Sequence, residues 1–273
     1  MTEHSPLVAE ADLGGDAYEI VNPDSQSGLL FVCDHASNRV PPDVCGGNLG
    51  LGEHDMRRHI AWDVGARGIT LALARRFAAT AILSRFSRLV VDPNRGEDDP
   101  TLVMRLCDGS VVPGNRYIDE AEIERRLARY YRPYHDAVTH QLDRILAAGK
   151  TPLLFSIHSF TRQFNGRQPR PWHVGVLWDR DGRLAVPLLD ALREDSTLCV
   201  GDNEPYSGQL QGDSMYTHGT LRGIPHALIE IRNDLIADTE GEIQWAGRLA
   251  PAIARVMESV KTQGKQHGRS DPA

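Results

Sequence analysis

Short apolar runs punctuate this chain, and four of them, far apart in sequence, end in or carry clusters of polar residues. Gly28 to Cys33 runs into Asp34-His35-Ala36-Ser37-Asn38. Leu89 to Val91 runs into Asp92-Pro93-Asn94-Arg95-Gly96. Pro152 to Ile157 runs into His158-Ser159-Phe160-Thr161, and Ala227 to Ile231 carries Glu230 and is followed by Arg232-Asn233-Asp234. Runs this short, bounded by turn residues, read as buried strands, and Ala81 to Leu83 and His173 to Trp178 read the same way. Between them lie segments of helical period. His59 to about Phe77 repeats Ile60, Val64 and Leu71. Asp119 to about Ala148 opens on a capping box with Glu122 and should kink at Pro133. Leu184 to Arg193 is shorter, and Glu242 to Val260 places Ile243, Ala246, Leu249, Ile253 and Met257 on one side. Strands alternating with longer helices predict a three-layer α/β/α sandwich around a mixed, largely parallel sheet. Such sheets bind ligands beyond the C-terminal ends of their strands. Four polar clusters delivered there by distant strands point to one converged site, and so to an enzyme.

Length and charge bound the rest. The 273 residues carry a net charge of −7 with 41% apolar residues, which suits a globular fold with a sizeable core. No basic cluster interleaved with aromatics is present, so no nucleic-acid partner is expected. No apolar stretch is long enough to cross a bilayer, so no membrane partner is expected either. The cysteines at 33, 45, 107 and 199 form no CxxC pair, and a disulfide framework is not expected. Residues 1–27 read as a polar segment without a secretory signal, which predicts a cytoplasmic protein. Residues 28–260 read as one catalytic domain, and 261–273 as a flexible tail. There is no Gly-x-Gly-x-x-Gly, phosphate loop, Gly-x-Ser-x-Gly elbow or His-Glu-x-x-His helix.

The chemistry-bearing residues suit a metal. His35 and His158 each follow a buried run, where one ring nitrogen can bind a cation while a carboxylate such as Asp34 orients the ring. Catalytic zinc commonly takes three protein ligands and leaves one position open. Asp63 is the preferred third ligand. His59, four residues earlier on what reads as the same helix face, competes with it or serves as a supporting partner. Glu230, inside an apolar run, needs a partner to offset burial. It is either a general base with a raised pKa or half of a salt bridge with Arg232, two residues on and on the same strand face, or with another arginine. Arg95 and Arg232 can each pair two-pronged with a substrate carboxylate. Ser159, Asn203 and Tyr206 are further candidates for substrate contact. His218 and His226 are weaker candidates.

Taken together, Cys33-Asp34-His35-Ala36-Ser37-Asn38, His59-Ile60-Ala61-Trp62-Asp63-Val64-Gly65-Ala66, Ser156-Ile157-His158-Ser159-Phe160-Thr161 and Ile229-Glu230-Ile231-Arg232-Asn233-Asp234 resemble the N-formylglutamate amidohydrolase family. Asp92-Pro93-Asn94-Arg95 and Gly201-Asp202-Asn203-Glu204-Pro205-Tyr206 fall between them, and the resemblance spans roughly residues 28 to 260. It implies a zinc-peptidase-like (phosphorylase/hydrolase-like) α/β/α fold, one zinc ion, and hydrolysis of N-formylglutamate to formate and glutamate, a step of histidine catabolism. A looser similarity to cell-wall N-acetylmuramoyl-L-alanine amidases implies the roles: His35, Asp63 and His158 as ligands and Glu230 as base. In those amidases the acid at the Asp63 position is usually glutamate. Two other readings stay open. One is a peptidase or N-acetyl amino acid deacylase on the same scaffold. The other is a non-catalytic metal-containing binding or sensor protein. The partner expected is a small N-acyl amino acid; the oligomeric state is left open.

Overall fold

Side-chain alternation along the strands sorts the core into two faces. The structure, a computed structural model, describes residues 12–15 and 17–267. Its strands are β1 (Asp12–Gly14), β2 (Tyr18–Val21), β3 (Leu29–Cys33), β4 (Thr80–Ser84), the small hairpin β5 (Leu106–Cys107) and β6 (Ser110–Val111), β7 (Leu153–Phe160), β8 (Val174–Leu177), β9 (Val200–Asp202) and β10 (His226–Arg232). Its helices are α1 (Glu53–Met56), α2 (Ala66–Arg76), α3 (Glu120–Arg126), α4 (Arg132–Ala147), α5 (Ala185–Arg193), α6 (Ser214–His218) and α7 (Thr239–His267). Eight strands form one sheet in the order β1-β2-β4-β3-β7-β10-β8-β9. Its centre, β4-β3-β7-β10, is parallel throughout. Antiparallel pairings enter at β10-β8, at β4-β2 and at β2-β1.

A parallel centre is covered on both faces, which is why its strands read as unbroken apolar runs. Phe31, Phe155 and Ile229 point to one face and pack against α2, α5 and α7. Their neighbours Leu30, Leu154 and Leu228 point to the other and meet Tyr134, Val138 and Leu142 of α4. The expected three-layer α/β/α architecture with a mixed sheet is what forms. A third apolar cluster, including Phe86, Leu89, Val91 and Tyr130, packs under the long connections at the C-terminal ends of the strands.

Several local expectations are corrected. Leu89–Val91 is a buried turn, not a strand: Val90 N donates to Ser87 O at 2.8 Å and the run fills the third cluster. A short apolar run signals burial, and burial alone does not specify extension. The helix expected from His59 begins only at Ala66. Upstream, the backbone is tied to other segments: Asp63 N donates to His35 O at 3.0 Å and Ser87 Oγ donates to Ala61 O at 2.7 Å. Gly65 turns the chain into α2 with φ of 79°, where an added Cβ would lie 2.1 Å from Ile236 O. His59 and Asp63 therefore do not share a helix face. Pro133 does not break the helical stretch. A wider turn over Leu127–Tyr131 precedes it, and it sits in the first turn of α4, where a missing N–H costs least.

Asp119 caps α3 by accepting from Glu122 N at 2.9 Å, but the Glu122 carboxylate turns to Arg125 and Arg126 instead of closing the box. The sheet also begins upstream of residue 28, since β1 and β2 lie in the polar segment. α7 continues to His267, into the stretch expected as a tail, and residues 268–273 lie outside the described residues. Among the described residues, no helix is long and apolar enough to cross a membrane.

Candidate metal centre

β3 and β7 are adjacent and parallel, so the residues at their C-terminal ends are neighbours. His35 lies just past the end of β3. β7 runs on to Phe160, so His158 sits inside the strand and its ring is fixed by the ladder. Directly opposite His158 on β10 is Glu230. Asp63 arrives from the connection into α2, held to His35 by its backbone N–H. One candidate ligand atom each from His35, Asp63 and His158 lies within 4.8 Å of the other two. All three side chains are buried.

The hydrogen bonds show which ring nitrogens face inward. Asp63 Oδ2 is 2.8 Å from His158 Nδ1 and 3.4 Å from His35 Nδ1. On the far side, His35 Nε2 lies 2.6 Å from Asp92 Oδ1, and His158 Nε2 lies 2.8 Å from Asp34 Oδ2. Each ring thus gives its Nε2 hydrogen to a buried carboxylate, which fixes orientation and raises basicity at Nδ1. Those carboxylates are themselves held. Asp34 accepts from the hydroxyls of Tyr134 (3.0 Å), Ser156 (2.8 Å) and Ser214 (2.5 Å). Asp92 accepts from Arg88 Nη2 (2.7 Å), Arg88 Nε (3.0 Å) and Asn94 N (2.9 Å).

This donor set fits a metal. Ligand atoms bound at about 2.0–2.2 Å around a tetrahedral zinc stand roughly 3.3–3.6 Å apart; Asp63 Oδ2 already lies 3.4 Å from His35 Nδ1 and 2.8 Å from His158 Nδ1, and one ligand atom from each of the three residues falls within 4.8 Å of the others. Without an ion, burial works against charge on His158, but its bonds to Asp34 and Asp63 outweigh that and push the imidazole well above its ordinary value. Burial likewise opposes charge on Asp63, and the two imidazoles overcome it and hold the carboxyl far below the usual range. A proton shared among these atoms is what a cation displaces.

Glu230 stands apart from this network. Its Oε2 is buried and has no hydrogen-bond partner among the described residues, an arrangement that costs free energy unless something arriving in the site satisfies it. Burial, reinforced by the nearby Asp63 and only partly offset by His158, pushes its carboxyl up to about 7. The competing salt bridge does not form. Arg232 pairs with Asp234 at 2.7 Å and donates to Trp172 O at 3.3 Å.

A cavity of about 420 Å³ opens over these groups. His35, Asp63, His158 and Glu230 line it, with His59, Arg88, Arg95, Ser159, Phe164 and Tyr206. A larger cavity of about 670 Å³ shares Leu177, Gln209, Leu210, Asp213 and Leu228 with it but has none of the four central residues. Volume is therefore a poor guide to where the chemistry lies here. Arg95 lines the cavity, and among the described residues its guanidinium donates to neutral acceptors, Thr101 Oγ1 at 3.2 Å and Asn94 O at 2.7 Å. Ser159 spends its hydroxyl on Val64 O (2.8 Å) and points its backbone N–H at Asp63 Oδ2 (3.2 Å). Asn203 does not line the cavity. Its Oδ1 accepts from Trp178 N and Gly208 N, shaping the loop that presents Tyr206. Arg232 is not brought to the cavity either.

His59 lines the cavity wall, 5.4 Å from the Phe164 ring and 3.5 Å from Asp108, outside the three-residue cluster. His218 is bonded to His135, and His226 to Ile224 O and Thr220. Sequence reasoning missed Asp92 and Arg88. The signal for Asp92 was present, because it ends an apolar run just as Asp34 does. Arg88 precedes that run and carried no such mark. Its guanidinium is pinned on Asp92, with Nη1 3.5 Å from Asp63 Oδ1.

The family model for N-formylglutamate amidohydrolase matches residues 27–237. The N-formylglutamate deformylase of Pseudomonas aeruginosa is 25% identical over 265 residues, covering 87% of this chain and 94% of its own length. Among solved structures, gene product Atu2144 from Agrobacterium tumefaciens superposes with a TM-score of 0.85 at 35% identity, over 91% of this chain and 97% of that one. The N-formylglutamate amidohydrolase from Ralstonia eutropha JMP134 shares the fold, with a TM-score of 0.72 at 21% identity over 91% and 99% of the two chains.

Proposed function

Since the chain belongs to the N-formylglutamate amidohydrolase family, it is a hydrolase of amides, and we propose that it cleaves the amide of an N-acyl amino acid, N-formylglutamate first, at one zinc ion held by His35, Asp63 and His158. The observation that carries this reading is the convergence of two carboxylate-backed imidazoles and an acid beside the buried Glu230, whose Oε2 has no hydrogen-bond partner among the described residues. When bound, the metal supplies Lewis acidity, lowering the pKa of water toward ~7 and polarising the amide carbonyl.

The chain's own groups do the rest. Asp34 and Asp92 keep both imidazoles in the tautomer that faces Asp63. Glu230, the general base, takes a proton from the attacking water and returns it to the leaving amine. A carboxyl whose burial favours its neutral form takes up a proton more readily than an exposed one, which suits both roles. Arg88, fixed by Asp92, places positive charge next to the position where the carbonyl oxygen gains negative charge. Arg95, which makes no salt bridge among the described residues although Asp92 and Asp213 lie within electrostatic reach, takes the substrate carboxylate, and Tyr206, which lines the same cavity, contacts the substrate. The products are the free amino acid and formate or another small acid.

The test is a panel of formyl, acetyl and peptidyl amides of glutamate offered to zinc-loaded and chelator-treated protein. Formyl cleavage that is lost on chelation and restored by zinc is expected. Cleavage of only the peptidyl or acetyl members would replace the substrate assignment, and no cleavage of any member would replace catalysis with binding. For the anchor, Arg95→Ala should raise KM for N-formylglutamate about 10- to 100-fold with kcat little changed. That matches the loss of a charge-assisted bond worth about 1.5–3 kcal/mol. An unchanged KM would remove Arg95 from the substrate site.

A further inference from the structure

Arg170 lies between β7 and β8, on a segment closed by its own backbone N–H to Arg162 O at 2.8 Å. Among the described residues no carboxylate pairs with it. Its guanidinium rests instead on aromatic rings, 4.2 Å from the Phe164 centroid, 4.8 Å from Tyr206 and 5.8 Å from Phe160. Such stacking supports a cation and fixes its plane. Nη1 donates to Thr161 O at 3.1 Å and to Tyr206 Oη at 3.0 Å.

The second bond has a directional consequence. A phenol has one hydrogen to give. Because Tyr206 Oη accepts from Arg170, its own hydrogen is left to donate elsewhere, and no group among the described residues accepts it. Tyr206 and Glu230 line the same cavity. We infer that Arg170 is a positioning residue, holding the Tyr206 hydroxyl with its hydrogen aimed into the cavity at an oxygen of the bound substrate. Arg170 itself does not line that cavity, so it acts through Tyr206 and not on substrate. Tyr206 is 37% exposed as a whole, but desolvation around its hydroxyl, with the nearby Glu230, pushes the phenol up to about 12, so it keeps its hydrogen across the working range.

The inference rests on Tyr206 contacting substrate, as proposed above. It is tested by a double-mutant cycle with Arg170→Gln, Tyr206→Phe and the pair, in zinc-loaded protein assayed on N-formylglutamate. Each single change should lower kcat/KM about 10- to 100-fold. The pair should be no worse than Tyr206→Phe alone, within about twofold, because Arg170 has nothing to act on once the hydroxyl is gone. Arg170→Lys, which keeps a charge but not the planar fork, should recover only part of the loss. Losses that multiply in the pair would overturn the assignment and make Arg170 an independent contact or a structural residue. The same cycle, read as the calorimetric Kd of N-formylglutamate in a Glu230→Gln background, does not depend on turnover. There, additive losses sink the positioning role, whereas absence of turnover in the parent protein sinks only the hydrolase reading.

Discussion

Replacing Glu230 with glutamine should lower kcat on N-formylglutamate by on the order of 10²–10⁴-fold while leaving one equivalent of metal bound. The carboxamide has nearly the shape of the carboxyl but cannot take up a proton, so the variant removes chemistry and little else. Metal should stay because the inward donors are those of His35, Asp63 and His158, and Glu230 is not among them. The fold should stay too. In the native protein Oε2 makes no hydrogen bond, so the change breaks none there, and trading a buried carboxyl for a neutral amide lowers a desolvation cost. The expected thermal midpoint is at or above that of the parent. The combination is diagnostic: lost turnover, retained metal and undiminished stability. Near-normal turnover would exclude Glu230 as the base. Lost turnover together with lost metal would make it a ligand.

How much of this was legible in the sequence follows from what each signal encodes. Apolar runs ending in His35 and His158 gave both the strands and the imidazoles, because a parallel central strand must be apolar on both faces and its polar end must point at the ligand side. Glu230 stood out for the same reason, as the one charged residue inside such a run. Asp63 was chosen on the wrong local picture. It was expected one helical turn from His59, yet it sits in a non-helical connection whose backbone bonds to His35 and to the chain around Ser87. Those bonds join segments dozens of residues apart, and no local period records them. Arg95 and Arg232 looked equivalent, since each follows a run near the ligand end. What separates them is a neighbour, Asp234, that neutralises one and leaves the other facing the cavity. Arg170 was invisible because its partners come from three places, Phe160 from the end of β7, Phe164 from the connection after it and Tyr206 from the loop after β9. The resemblance to a family supplied the ligand roles together, where each residue alone was ambiguous.

Removing the imidazole of His158 should have the larger effect on the metal. In His158→Ala, zinc content after dialysis should fall from about one equivalent to a small fraction, and turnover should fall by on the order of 10³-fold or more, as expected when several kcal/mol of charge stabilisation is lost. The loss should be local. Asp34 gives up its bond to His158 but keeps the hydroxyls of Tyr134, Ser156 and Ser214, so its charge is not left bare. A structural histidine would behave differently, costing stability without changing metal content.

Asp34→Asn separates the ring from its support. The imidazole remains, but it no longer hands its Nε2 hydrogen to a carboxylate. Zinc affinity should then drop about 10- to 100-fold without abolishing binding at saturating metal. The graded order, wild type above Asp34→Asn above His158→Ala, read by competition with a chromogenic chelator, is what an Nδ1 ligand backed by a buried acid requires. Unchanged zinc content in His158→Ala would reject the ligand assignment, and with it the reading of the whole cluster as a metal centre.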